Sequence, residues 1–148
     1  MTLKTRIQDD MKQAMKAGDK ERLKVVRMLL AAIKQIEVDK RTELDDAGVL
    51  GVLEKMVKQR RESVSQFRAG NRDDLADIEL AEIAVLEKYL PAPLSEREVD
   101  EMIATAIAET GATGIRDMGK VMSHLKSSAQ GRADMSAVGA KVKAQLSG

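Results

Sequence analysis

The apolar positions of this chain recur at steps of three and four, which is the spacing of one face of an α-helix. The first such row consists of Leu3, Ile7, Met11 and Ala14. Thr2 precedes it as a predicted N-cap, Gly18 ends it, and Asp19 can cap the helix that follows. The pattern therefore predicts a first helix that stops at Gly18.

Three more helices are predicted before residue 90, over about residues 20–41, 49–68 and 74–89. A polar break over residues 43–48 separates the second from the third, and Asp73 is the predicted cap of the fourth. The second helix has an apolar stripe and an opposite polar face. The polar face carries Lys20, Lys24, Arg27, Lys34 and Glu37.

Both prolines of the chain, Pro91 and Pro93, follow the fourth helix, and each disfavours helix at the residue before it. Ser95 and Glu98 then have the spacing of a capping box. We therefore predict a helical N-terminal domain of about four helices over residues 1–92. A small three-helix bundle is predicted over residues 93–148.

The C-terminal helices are predicted at about residues 96–109, 115–128 and 134–146. Gly111–Gly114 separates the first two, and Gln130–Asp134 separates the last two, with Asp134 as a cap. No strand pattern occurs, so the expected fold class is all-α.

The composition agrees with helices packed on helices. The chain has 148 residues with no cysteine, one tyrosine, one phenylalanine, no tryptophan and nine methionines. Lack of cysteine excludes disulfides and thiolate zinc sites, and the few rings argue against base-stacking platforms for single-stranded nucleic acid. Most methionines lie in the apolar stripes, where they are expected to fill the core.

No apolar run is long enough to span a membrane, and the charged N-terminus lacks the apolar stretch of a signal peptide. We therefore expect a cytoplasmic protein without a membrane partner. The net charge is only +1, with 25 basic and 24 acidic side chains, and the basic excess is concentrated before residue 45.

No catalytic centre is recognisable. His124 is the single histidine, and without cysteine or a second histidine it is a poor metal ligand, so a surface or helix-end position is expected. Glu79 and Glu82 share a helix face, but a carboxylate-bridged metal pair would also want Glu-x-x-His, which is absent. We expect no catalytic residue, no metal and no cofactor.

A basic string in the third helix allows two interpretations. Lys58 and Arg61 are three residues apart, Arg68 follows seven residues later, and Arg72 comes next. They could present cations to phosphates along one side of the helix. Alternatively, these basic side chains pair with nearby carboxylates. Without the resemblance described below, the residues favour this second interpretation.

Several strings in order resemble the standalone YqeY proteins of the GatB/YqeY family, and the resemblance covers essentially the whole chain. The strings are Lys58-Gln59-Arg60-Arg61-Glu62-Ser63, Phe67-Arg68-Ala69-Gly70-Asn71-Arg72-Asp73-Asp74-Leu75, Glu79-x-x-Glu82-x-x-x-Leu86-x-x-Tyr89-Leu90-Pro91, Asp117-Met118-Gly119-Lys120-Val121-Met122 and Gly131-Arg132-Ala133-Asp134. One departure is Met135, where standalone members commonly have glycine.

The resemblance implies an all-helical accessory module similar to the tRNA-contacting tail of the glutamyl/aspartyl-tRNA amidotransferase, a carbon–nitrogen ligase with glutamine as amido donor. It implies tRNA, an amidotransferase or another translation-related protein as partners, and no catalysis by this chain alone. The nucleic-acid-binding residues expected on this basis are Lys58, Arg60, Arg61, Arg68, Arg72, Lys120 and Arg132. The alternative is a protein–protein interaction module with no nucleic-acid role.

Overall fold

Seven α-helices and one 3₁₀ turn make up the part of the chain that the computed structural model describes, which is residues 1–129 and 132–147. No strand occurs within it, so the all-α prediction is confirmed. The helices are α1 (Leu3–Ala17), α2 (Lys20–Lys40), α3 (Asp46–Ala69), α4 (Asp73–Glu87), α5 (Glu96–Thr110), α6 (Met118–Ala129) and α7 (Met135–Ser147), with the 3₁₀ turn at Ile115–Asp117.

The chain divides into two compact units, Met1–Leu90 and Pro91–Gly148. The first contains α1–α4, and its core is built from aliphatic side chains of all four helices. Ile7, Leu29, Leu53 and Leu86 each have less than 2% of their surface exposed. Burial of such side chains stabilises the unit by roughly 1.5–3 kcal/mol each.

The second unit packs α5, α6 and α7 around a smaller core. Ile103, Val121 and Val142 are fully buried at its centre. Four methionines line the edge of this core, as expected for gap-filling side chains. They are Met102, Met118, Met122 and Met135.

Local signals fixed most helix starts as predicted. The side chains of Thr2 and Asp19 accept hydrogen bonds from backbone amides of α1 and α2. Ser95 and Glu98 form the predicted capping box of α5, in which each side chain bonds the other residue's backbone N–H. Gly18 ends α1 with a φ of 69°, a left-handed conformation that glycine adopts without steric cost.

Two helix starts differ from the prediction. The third helix begins at Asp46, three residues early, because the Asp45 carboxylate caps the Gly48 amide at 2.9 Å. The fourth begins with Asp73 inside its first turn, and the N-cap is Arg72, which makes no side-chain capping bond. Asp73 as a cap was therefore wrong.

The predicted break over Gln130–Asp134 lies partly outside the described residues, since residues 130 and 131 are not among them. Asp134 itself accepts a hydrogen bond from the Ser136 amide at 2.9 Å and caps α7 as predicted.

Glu37 was predicted on the polar face of α2, but it is buried, with 8% of its surface exposed. Its carboxylate accepts hydrogen bonds from Lys4 Nζ at 2.8 and 3.0 Å and from the Leu44 amide at 2.9 Å. These bonds lower the pKa of Glu37, the Lys4 bond most strongly. Glu37 thus ties α1 and the loop before α3 to α2.

Candidate nucleic-acid interface

The seven basic residues expected to bind nucleic acid are divided between the two units. Five belong to the first unit, on α3 and at the start of α4: Lys58, Arg60, Arg61, Arg68 and Arg72. The other two, Lys120 and Arg132, belong to the second unit. The seven therefore do not form one patch on a single unit.

Arg60 is buried, with 8% of its surface exposed. Its Nη1 donates to the Met56 carbonyl at 3.3 Å, and its Nη2 lies 3.9 Å from the sulfur of Met28. Nε is 3.5 Å from Glu82 Oε1, which is an ion-pair distance, but Nε donates no hydrogen bond to any of the described residues. A guanidinium held in this way is not presented to a phosphate.

The sequence carries a signal for this burial. Positions 53, 57, 60 and 64 are spaced at four, three and four residues, and Leu53, Val57 and Val64 are all buried. Arg60 therefore occupies a core position of α3, whereas Arg61 is rotated about 100° away from it.

Arg61 and Arg72 are exposed and already paired with carboxylates. Arg61 Nη2 bonds Glu87 Oε1 at 2.5 Å, and Arg72 bonds both oxygens of Asp74 at 3.1 Å. The second pair lowers the pKa of Asp74 and raises that of Arg72, in each case through the side-chain hydrogen bond first. Both pairs lie on the surface, where the solvent screens their attraction.

Arg68 and Lys58 are exposed, and neither forms a salt bridge within the described ranges. In the second unit, Lys120 is also exposed on α6. Arg132 instead supports the start of the unit. Its carbonyl accepts from the Leu94 amide at 2.7 Å, and its Nε donates to the Ala92 carbonyl at 3.2 Å.

Helix α4 places strong negative charge beside the α3 arginines. It contains six carboxylates and no lysine or arginine. They are Asp73, Asp74, Asp77, Glu79, Glu82 and Glu87. Three of them are paired with arginines, Asp74 with Arg72, Glu82 with Arg60 and Glu87 with Arg61, so the negative charge of α4 is partly neutralised.

A more uniform cationic surface lies on α2. Lys20, Lys24, Arg27 and Lys34 are all exposed, and none of them forms a salt bridge with any residue that the structure describes. Their spacing of four, three and seven residues confines them to one face of the helix. That face is opposite the buried side chains of Val25, Leu29 and Ile33.

These four lysines and arginines were recognised in the sequence only as a polar face. The signal that marks them is their combination of helical spacing with the basic excess before residue 45. We name this row the α2 cationic row.

A shallow groove of about 340 Å³ runs between α3 and α4. Val64, Leu80, Ile83 and Ala84 form its apolar part, and Arg61, Arg68 and Glu87 form its charged edge. Two of the residues predicted to bind nucleic acid, Arg61 and Arg68, therefore lie at the edge of a partly apolar groove.

His124 lies on the surface near the end of α6, as expected, with 43% of its side chain exposed and its Nε2 2.7 Å from Glu109 Oε2. Glu82 is engaged by Arg60 instead of facing Glu79 across a metal site. Within residues 1–129 and 132–147, no group of three histidine or carboxylate side chains is arranged to hold a metal ion. None of the described helices is long and apolar enough to cross a membrane.

The described residues therefore form two all-helical units, one of which carries a row of exposed basic side chains on α2. The family model of the Yqey-like proteins matches residues 4–146. The chain belongs to this family, as its sequence strings indicated.

Curated relatives from three fungi are similar over much of the chain. All three are named "Altered inheritance of mitochondria protein 41, mitochondrial". The relative from Pyrenophora tritici-repentis is 32% identical over 86% of this chain and 71% of its own length. Those from Vanderwaltozyma polyspora and Lachancea thermotolerans are 35% and 34% identical over 66% and 70% of this chain. The chain spans only 54% and 57% of these two relatives.

These names correct one expectation. We expected a cytoplasmic protein, and that was wrong by this comparison, because the matched relatives are named as mitochondrial proteins. The expectation relied on the absence of an apolar N-terminal stretch, which is the mark of a secretory signal peptide. Mitochondrial transit peptides are amphipathic and escape that criterion.

Proposed function

We propose that this protein is an accessory module that contacts structured RNA of the tRNA class and has no catalytic activity of its own. The observation that carries the proposal is the α2 cationic row, four basic side chains on one helix face with no salt bridge among the described residues. The resemblance of the chain to the amidotransferase tail supports tRNA as the RNA class. It also supports an amidotransferase or another translation-related protein as a second partner.

The dimensions of the row suit contact with a nucleic-acid backbone. Lys20 and Lys34 are fourteen residues apart, which is about 21 Å along the helix axis. Lysine side chains bind phosphates as mobile point charges and release counterions, so affinity arises without base recognition. Structured RNA is recognised largely by its shape and its phosphates, and this does not require the aromatic platforms that the chain lacks.

The basic residues predicted from the sequence have a secondary role in this proposal. Lys58, Arg61, Arg68 and Arg72 flank an acidic helix, and Lys120 and Arg132 belong to the other unit. Arg60 is left out because it is buried beside Glu82.

The test is the binding of a tRNA transcript at several salt concentrations. Lys24→Glu/Arg27→Glu should weaken binding about tenfold or more and should reduce the slope of log affinity against log salt by roughly 1.5. The matched control is Lys126→Glu/Lys143→Glu, which makes the same change in net charge at exposed positions of the second unit. It should retain most of the affinity.

Absence of tRNA binding by the wild-type chain at low salt would overturn the proposed function. If both double variants lose the same affinity for tRNA, binding depends on net charge alone, and the assignment to α2 is overturned. Recovery of a stable protein partner after nuclease treatment, with no RNA bound, would favour the interaction-module alternative.

A further inference from the structure

We propose that the groove between α3 and α4 docks an amphipathic helical segment of a partner protein, which packs aliphatic side chains on the groove floor and sets a carboxylate against Arg68. This groove is separate from the α2 cationic row, and the inference does not depend on RNA binding. We name it the α3–α4 groove, with the seven lining residues given above.

The floor of the α3–α4 groove is apolar and accessible. Leu80 has 38% of its surface exposed, and Ala84 beside it is exposed as well. Beneath them, Val64 and Ile83 belong to the core of the first unit and are 6% and 5% exposed. The floor is therefore rigid, and covering Leu80 removes apolar surface from water at no cost in core repacking.

Of the two arginines that line the groove, only one forms a salt bridge among the described residues. Arg61 is bonded to Glu87, which neutralises that end of the groove. Arg68 lies two helical turns away, about 10 Å along α3, and forms no salt bridge within the described residues. A partner carboxylate that reaches Arg68 would complete the second pair, since a guanidinium favours two-point contact with a carboxylate.

The charges around the groove favour a polypeptide over RNA at this site. Helix α4 forms one wall, and the one carboxylate that it contributes to the lining, Glu87, is already paired with Arg61. A nucleic-acid backbone laid in the groove would meet one arginine that forms no salt bridge among the described residues, Arg68, and would place its other phosphates over apolar side chains. A helix can present one carboxylate to Arg68 and neutral or basic side chains to α4.

A segment bound in this way follows the helix-in-groove mode, in which apolar side chains at positions i, i+3 or i+4 and i+7 anchor an amphipathic helix. The distance from Arg61 to Arg68 corresponds to about two turns of such a helix. The expected partner segment therefore has two or three aliphatic anchors and an acidic residue at the end that meets Arg68.

The test selects helices from a phage-displayed library of amphipathic peptides of about 15 residues, using the full chain as bait. Enriched peptides are synthesised, and their affinity is measured by fluorescence anisotropy. Leu80→Glu and Arg68→Glu should each weaken binding about tenfold or more. Lys55→Glu, an exposed change on α3 outside the groove, is the matched control and should leave affinity unchanged.

Replacing the acidic residue of the peptide by lysine should restore its binding to Arg68→Glu, which a merely destabilised fold would not allow. Circular dichroism checks that each variant keeps its helix content. The inference is overturned if no helix is enriched, if enriched helices bind Leu80→Glu as well as the wild type, or if tRNA displaces them and binds the groove instead.

Discussion

The hydroxyl of Tyr89 donates a hydrogen bond to Asp10 Oδ2 at 2.7 Å and so joins the end of the first unit to α1. Arg22 lies 3.6 Å from the other oxygen of the same carboxylate. The guanidinium of Arg6 lies 5.1 Å from the centre of the Tyr89 ring, a cation–π distance. Tyr89, which lies two residues before Pro91, is thus held by a hydrogen bond and a cation–π contact as well as by burial.

Titration of the single tyrosine gives the first prediction. Burial and the bond to Asp10 raise the pKa of Tyr89 from 10.0 to about 12. The phenol form is the one that the fold stabilises, so this contribution is complete below pH 10 and is lost as pH rises through 12. Absorbance of the tyrosinate should rise near pH 12 in the folded chain and near pH 10 in denaturant.

Because the chain has one tyrosine and no tryptophan, that absorbance signal has a single source. Asp10→Asn removes the negative charge and should move the folded midpoint downward. A wild-type midpoint close to 10 under native conditions would contradict the buried bond.

The buried carboxylate of Glu37 predicts a loss of stability in acid. Its folded pKa lies below the ordinary 4.5, so its contribution is complete above pH 4.5 and disappears as pH falls through the folded value. Glu37→Gln should therefore be less stable than wild type at pH 7, and the difference should shrink below pH 4.5. Urea unfolding at a series of pH values measures it.

Glu43→Gln is the matched control for Glu37→Gln, since Glu43 is exposed in the same region. It should unfold like the wild type at each pH. If the difference in unfolding free energy between Glu37→Gln and wild type stays constant down to pH 3, the charge of the carboxylate does not contribute to stability.

The pair formed by Arg60 and Glu82 predicts a contrast between a single and a double variant. Their side chains are only 10% and 13% exposed. Glu82→Ala leaves a buried guanidinium without its counter-charge and should cost about 3–5 kcal/mol of unfolding free energy. Arg60→Met/Glu82→Leu removes both charges and should be neutral or stabilising by about 1–4 kcal/mol.

Thermal and urea unfolding measure both Arg60–Glu82 variants. If the double variant is as unstable as Glu82→Ala, the two charges contribute net stability and the expected order is refuted.

The capping box at the start of α5 gives the last prediction. Ser95 Oγ accepts from the Glu98 amide at 3.1 Å. Ser95→Ala should destabilise α5 by about 1 kcal/mol, within a usual range of 0.5–2. Hydrogen exchange of the first-turn amides of α5 reports this locally and avoids treating two units as one unfolding transition. Ser127→Ala, an exposed control on α6, should change exchange by less than about 0.5 kcal/mol.

Prediction from the sequence worked best where structure depends on neighbours along the chain. The caps at Thr2, Asp19 and Ser95 bond amides only three residues away, so the residue type and its position are sufficient. The helical periodicity predicted the helices for a related reason. An apolar stripe shows that one face of a helix is buried, whichever helix covers it. The domain limits of residues 1–92 and 93–148 stay a prediction beside the observed units, Met1–Leu90 and Pro91–Gly148.

Prediction of the candidate site was weaker, because the spacing that places Arg60 in the buried row of α3 does not show which carboxylate pairs with which cation. Arg60 and Arg61 are neighbours, yet Arg60 faces Glu82 in the interior and Arg61 faces solvent beside Glu87. The α2 cationic row was visible as a polar face, but its lack of carboxylate partners depends on which helices pack nearby. The role of the seven predicted basic residues in binding nucleic acid stays a prediction.

The sequence by itself determined the fold class, most helix ends and the family. These depend on local capping, on helical periodicity and on the order of the short sequence strings that resemble the family. Only the tertiary structure decided which charges are neutralised. Glu37 and Lys4 are thirty-three residues apart, and Arg61 and Glu87 are twenty-six apart. Such pairs form only when helices pack, since the rotation of each helix about its axis sets which carboxylate reaches which cation.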